Sequence, residues 1–292
     1  MSITYKRWTG LGLGAALAGS AILTACGQAG TSEGPAPEAD TPSSTPAPQA
    51  APRPAAVGEM GEGEGGPGGE GEGGEGGVSV AAARTDPVEY LSALAITRAH
   101  AIAARDAYAI GKTDAAGEMF AHPVSEVLLQ MEPVFEARGV DPFDNVMSQA
   151  SAAVFDGESV EQIRQRTETI FETLDAAAQK APASDIGQGR VAAGVVADQV
   201  SRAVDLYRGA MQSDAYEPYL DGYGYYLTAK SLFERQEAAI REAVPEAAAA
   251  MEDAFRLLEE AFPTAERPES LAGDASAMAV ADAEILLALS GG

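Results

Sequence analysis

From residue 86 onward, apolar residues recur at helical spacing, and no stretch sustains a two-residue alternation with β-branched enrichment. Asp86-Pro87-Val88-Glu89 supplies an N-cap, an N1 proline and an N3 acid, predicting a helix that ends near Gly111. A second helix starts at Thr113 or Asp114, is kinked at Pro123 and Pro133, and ends at Gly139. Asp141-Pro142 opens a third that stops at Asp156-Gly157, and Ser159 to Gln162 is a capping box for a fourth running to about Lys180. The remaining helices are predicted from Ser184/Asp185 to Ser213, from Glu217 to Ala243, from Pro245 to Phe262, and from Ala275 to Leu289. Short connections between them make sequential helices antiparallel neighbours. The expected class is all-α, a bundle or array of about seven or eight helices in hairpins. Because these helices are Ala-rich, their packing depends on scattered large residues such as Tyr90, Leu91, Leu94 and Ile102 at one end and Phe255, Leu258 and Phe262 at the other. Tyr90-Leu91-Ser92-Ala93 is echoed by Tyr226-Leu227-Thr228-Ala229, which either a duplicated hairpin or Ala-rich composition produces.

The pattern breaks down before residue 85. Thr9 to Leu23 is an apolar run behind Lys6 and Arg7, too short to span a bilayer and suited to the central region of a secretory leader. Leu23-Thr24-Ala25-Cys26 follows and resembles the lipobox of bacterial lipoprotein precursors. That resemblance implies a signal peptide over 1–25, cleavage before Cys26, and lipidation of its thiol (diacylglycerol, with a further acyl chain such as palmitate on the new amine). Two or more acyl chains give stable membrane anchoring. Gly27 rather than Asp follows the cysteine, which favours the periplasmic leaflet of the outer membrane in a Gram-negative cell envelope, or the cell surface otherwise. Residues 26–84 are rich in Pro, Ala, Gly and Glu and offer no apolar run to offset chain entropy, so they read as a disordered tether. Residues 85–292 are the helical domain.

Composition then narrows the function. The 292 residues hold 19 Lys+Arg against 44 Asp+Glu, a formal charge of −25, which excludes non-specific nucleic-acid binding. One cysteine excludes a disulfide framework and Cys-rich zinc modules. No phosphate loop, HExxH or ordered nucleophilic triad is present, so the chain is expected to bind rather than to catalyse.

Two clusters carry candidate chemistry. His100 and His122, the only histidines, lie equally far on either side of Gly111, so an antiparallel hairpin sets them at the same height. His122 is four residues from both Glu118 and Glu126, and imidazoles with carboxylates suit a divalent Zn, Cu or Fe ion. Pro123 opposes this arrangement, because a residue before proline is biased away from the α region. The second cluster is Tyr216, Tyr219, Tyr223 and Tyr226, a helical stripe that predicts either packing or a docking face for an envelope protein partner. An exported helical body with His and Glu is similar in architecture to imelysin-like iron-uptake proteins. The chain lacks that family's G-x-H-x-x-E motif, reading Ala121-His122-Pro123-Val124-Ser125-Glu126 around its second histidine, and no residue role is carried over.

Overall fold

Polar side chains at the helix starts set most of the element boundaries. The computed structural model describes residues 77–291, so Cys26, its leader and most of the tether segment lie outside the described residues. Asp86 Oδ1 accepts from the Val88 amide at 2.8 Å, and Pro87 occupies N1 of α1 (Pro87–Ala109). Gly111, at φ +79°, ends it: the Lys112 amide reaches Ala107 O at 2.9 Å and the Gly111 amide reaches Tyr108 O at 3.0 Å, a Schellman closure. The chain then reverses into α2 (Thr113–Pro123).

Pro123 does not push His122 out of the helix, contrary to the bias expected from sequence. His122 stays helical and Pro123 is the last residue of α2. Proline has no N–H to give the carbonyl four residues back. The ladder widens immediately after it into a π turn, Val124–Leu128, before α3 (Leu129–Ala137) resumes.

Then come α4 (Asp144–Phe155), α5 (Val160–Ala178), α6 (Gln188–Ala210), α7 (Glu217–Ala243), α8 (Pro245–Ala261) and α9 (Ala275–Ser290). With α2, the π turn and α3 counted as one interrupted helix, the described residues form eight α-helices, and no β-strand is among their elements. The all-α expectation therefore holds. Two starts fall later than the sequence pattern predicts. Phe143 rather than Asp141 precedes α4, and α6 starts after Gly187 because Ser184 Oγ accepts from the Ile186 amide in a local turn. Folding also reaches further upstream than residue 85. Val78 and Ala83 are buried, a 3₁₀ turn spans Ala82–Arg84, and the Ser79 amide donates to Glu89 Oε1 at 2.5 Å. Among the described residues, Val78 and Ala83 thus pack with the helical body, within the stretch that the sequence reads as tether.

Helix α1 is the axis of the bundle, packing against α2, α5, α6 and α7. Its alanines at 93, 95, 99, 101, 103, 104 and 107 are all buried, which lets four neighbours approach at once. From Ser92 to Ala104 every residue of α1 is buried, Arg98 and His100 included, whereas Arg105 and Asp106 beyond are partly exposed. Helices α6 and α7 share the most extensive contact and run antiparallel, Gly189 meeting Ala239 and Leu206 meeting Gly222. Among the described residues no helix is long and apolar enough to cross a membrane.

Candidate metal centre

The close approach of α7 to α1 is set by Gly224. A Cβ there would lie 2.4 Å from the carbonyl oxygen of Ala99, so only glycine lets the two backbones meet at this level. On either side of Gly224, Asp221 and Tyr225 are carried onto His100, the residue after Ala99. The Tyr225 ring stands edge-to-face on the imidazole at 5.8 Å between centroids. The α1–α2 hairpin brings in His122, whose ring lies 6.1 Å from that of His100 at 73°. The π turn contributes Glu126.

His100 is almost fully buried, and burial holds its imidazole below the usual histidine range, hence neutral near pH 7. Its Nδ1 lies 2.9 Å from Ile96 O. A carbonyl oxygen only accepts, so Nδ1 carries the hydrogen and Nε2 is left with its lone pair. That lone pair faces Asp221 Oδ1 at 3.6 Å and Glu126 Oε2 at 3.8 Å, both too long for hydrogen bonds. His122, half-buried, has Nδ1 3.8 Å from Glu217 Oε1, on the first residue of α7.

Asp221 is perturbed in the opposite sense to His100. Its Oδ1 is buried and accepts no hydrogen bond. Burial pushes its carboxyl up to about 7, with His122 opposing and Glu217 and Glu126 adding to the rise. One ligand atom from each of His100, His122 and Asp221 lies within 4.8 Å of the other two. Two ligands at about 2.1 Å from one tetrahedral zinc ion are about 3.4 Å apart. The His100–Asp221 spacing is already close to that, and His122 has to rotate inward. The Nε2 lone pair of His100, a ring nitrogen of His122 and a carboxyl oxygen of Asp221 therefore converge on one small space, a ligand set that suits a cation once Asp221 has given up its proton.

The sequence-predicted residues separate on this geometry. His100 and His122 come together and Glu126 reaches the edge of the group. Glu118 is exposed on α2 and lies outside the group. Asp221 was not anticipated as a ligand. Glu217, Asp221 and Tyr225 form an i, i+4, i+8 row on α7, a sequence pattern that could have pointed to it.

The tyrosine stripe faces inward. Tyr219 and Tyr226 are buried against Phe262, with ring centroids at 5.3 and 6.3 Å. The hydroxyls of Tyr216 and Tyr219 donate to Ala265 O and Thr264 O, and that of Tyr223 donates to Asp106 Oδ2. Tyr219 and Tyr226 thus pack helices, while Tyr216 and Tyr223 are partly exposed with their hydroxyls bonded within the chain. No family model, curated protein or solved structure matches the chain, so the site is interpreted from its own geometry.

Proposed function

We propose that the protein binds a divalent transition-metal ion through His100, His122 and Asp221, with Glu126 completing the set. The observation that carries this reading is the buried Asp221 oxygen without a hydrogen bond, facing the free lone pair of a neutral imidazole. Two imidazoles with one or two carboxylates suit Zn²⁺, Fe²⁺ or Cu²⁺, and the Ile96 carbonyl behind His100 is the outer contact that orients a metal-bound imidazole. The protein acts by holding the ion, and it does so outside the cytoplasm, fastened to the membrane through lipid on Cys26. Support for that location is the leader and lipobox-like sequence.

Calorimetric titration of the purified helical body with Zn²⁺, Cu²⁺ and Fe²⁺ (the last anaerobically), together with the metal content of protein isolated from its native membrane, tests the proposal. One ion per chain is expected, and a His100→Ala/His122→Ala double variant should lose it. Equal affinity in the double variant would remove the assignment. The location is tested separately, by the mass of the mature N-terminus and by its loss in a Cys26→Ser variant.

A further inference from the structure

A second cavity lies away from the histidines. Helix α5 packs chiefly on α1 and α4, and α1 is the floor of a gap between α5 and α6. The gap has a volume of about 750 Å³, within the range of small-molecule sites. Its lining includes Leu91, Leu94, Leu174, Val191, Val195 and Leu232, interspersed with glutamines, and none of its lining residues is aromatic. The α5–α6 loop borders it with Ala181-Pro182-Ala183 and the half-exposed Ile186.

Two guanidinium groups, Arg98 and Arg235, line the same cavity. Arg98 is buried, lies 4.5 Å over the Phe171 ring, and is ion-paired with Asp175. Arg235, on α7, donates Nη1 to Ser231 Oγ at 3.0 Å and has no carboxylate partner among the described residues. Among the charged residues that line the cavity, Asp175 balances one of the two cations and leaves one positive charge, while Glu168 acts on Arg98 from outside the lining. In a chain of net charge −25, that local excess runs against the general field.

We propose that this groove binds a small amphiphile with a single carboxylate head and an aliphatic chain. The head sits against Arg235 and Arg98, where guanidinium donors match a carboxylate in geometry and the surplus charge matches a monoanion. The chain lies along the leucine and valine walls, its burial supplying most of the affinity. The absence of aromatic lining selects an aliphatic over a stacked planar ligand, and the volume suits a small molecule rather than a peptide helix.

The test is calorimetric titration of the metal-stripped protein with dodecanoate below its micellar concentration, with dodecyltrimethylammonium as the opposite-charge control. Saturable binding of one dodecanoate per chain is expected, with none of the ammonium compound. Arg235→Glu, at an exposed position, should weaken binding by about tenfold or more. Ala192→Phe, which fills the trough from α6, should abolish it, while circular dichroism shows both variants folded. His100→Ala should bind dodecanoate as the unaltered protein does, since the two sites are separate. Absence of saturation, equal uptake of the cationic amphiphile, or unchanged affinity in folded Arg235→Glu or Ala192→Phe would each overturn the proposal.

Discussion

Replacing Asp221 by asparagine sets metal binding against stability. In the metal-free protein the carboxyl of Asp221 is pushed from its ordinary 3.8 to about 7 by burial. Below pH 3.8 the group is protonated in both folded and unfolded chains and contributes no pH dependence. Between 3.8 and about 7 the unfolded chain has released its proton and the folded chain keeps it, so stability falls as pH rises, by about 1.4 kcal/mol per pH unit. Above 7 the loss levels off at about 4 kcal/mol, the order of magnitude of ionising a buried and unpartnered carboxylate here. The carboxamide of the variant has no proton to lose anywhere in this range. In the presence of EDTA, Asp221→Asn is therefore expected to be nearly as stable as the unaltered chain at pH 4 and more stable by several kcal/mol at pH 8. Burial of neutral His100 lowers stability as pH falls below the ordinary histidine value, so the comparison is read at pH 8, where His100 is neutral in both proteins. Urea unfolding at pH 4, 6 and 8, followed by circular dichroism, measures the difference directly. A variant that is equally stabilised or destabilised at all three values would refute the argument. The same substitution should abolish metal binding, so stability gained and function lost come from one oxygen atom.

Other expectations follow from single contacts. Zn²⁺ at a hundredfold excess over its Kd should stabilise the unaltered protein by about 2.7 kcal/mol, reversibly with EDTA, and should leave the double histidine variant unmoved in a thermal melt. Gly224→Ala places a Cβ 2.4 Å from Ala99 O, so α7 must move off α1. A loss of about 1–3 kcal/mol in urea unfolding is expected, with weaker metal affinity by calorimetry. Tyr219→Phe removes the bond to Thr264 O at 2.8 Å and should cost about 1 kcal/mol without touching metal binding. Ser159→Ala opens the capping box of α5 and should lower stability by about 1 kcal/mol, again read by urea unfolding.

The helices were legible because their boundaries are local. Asp86, Pro87, Gly111, Ser159 and Pro245 each act within a turn of their own position, and the elements begin or end where they stand. The meeting of the two histidines was legible for the same reason, as one short turn relates them. Asp221 was hidden because its role arises from a contact between helices far apart in sequence, and nothing near it records that Gly224 draws α7 onto Ala99. The tyrosines were ambiguous because a helical stripe looks the same whether it meets a partner or the chain's own α8. The position of Phe262 accounts for Tyr219 and Tyr226 alone. His122 misled in the other direction: proline's steric bias is local, and here the tertiary packing overrode it by spending a π turn.

Because α1, α2 and α7 each supply part of the candidate site, no contiguous fragment of the chain short of the α1–α7 span carries all of it. In an unfolded chain the two histidines and the aspartate are strung out along a line. On the function proposed above, loading is tied to the completed fold: whatever ion pool surrounds the chain where α7 docks is the pool it samples.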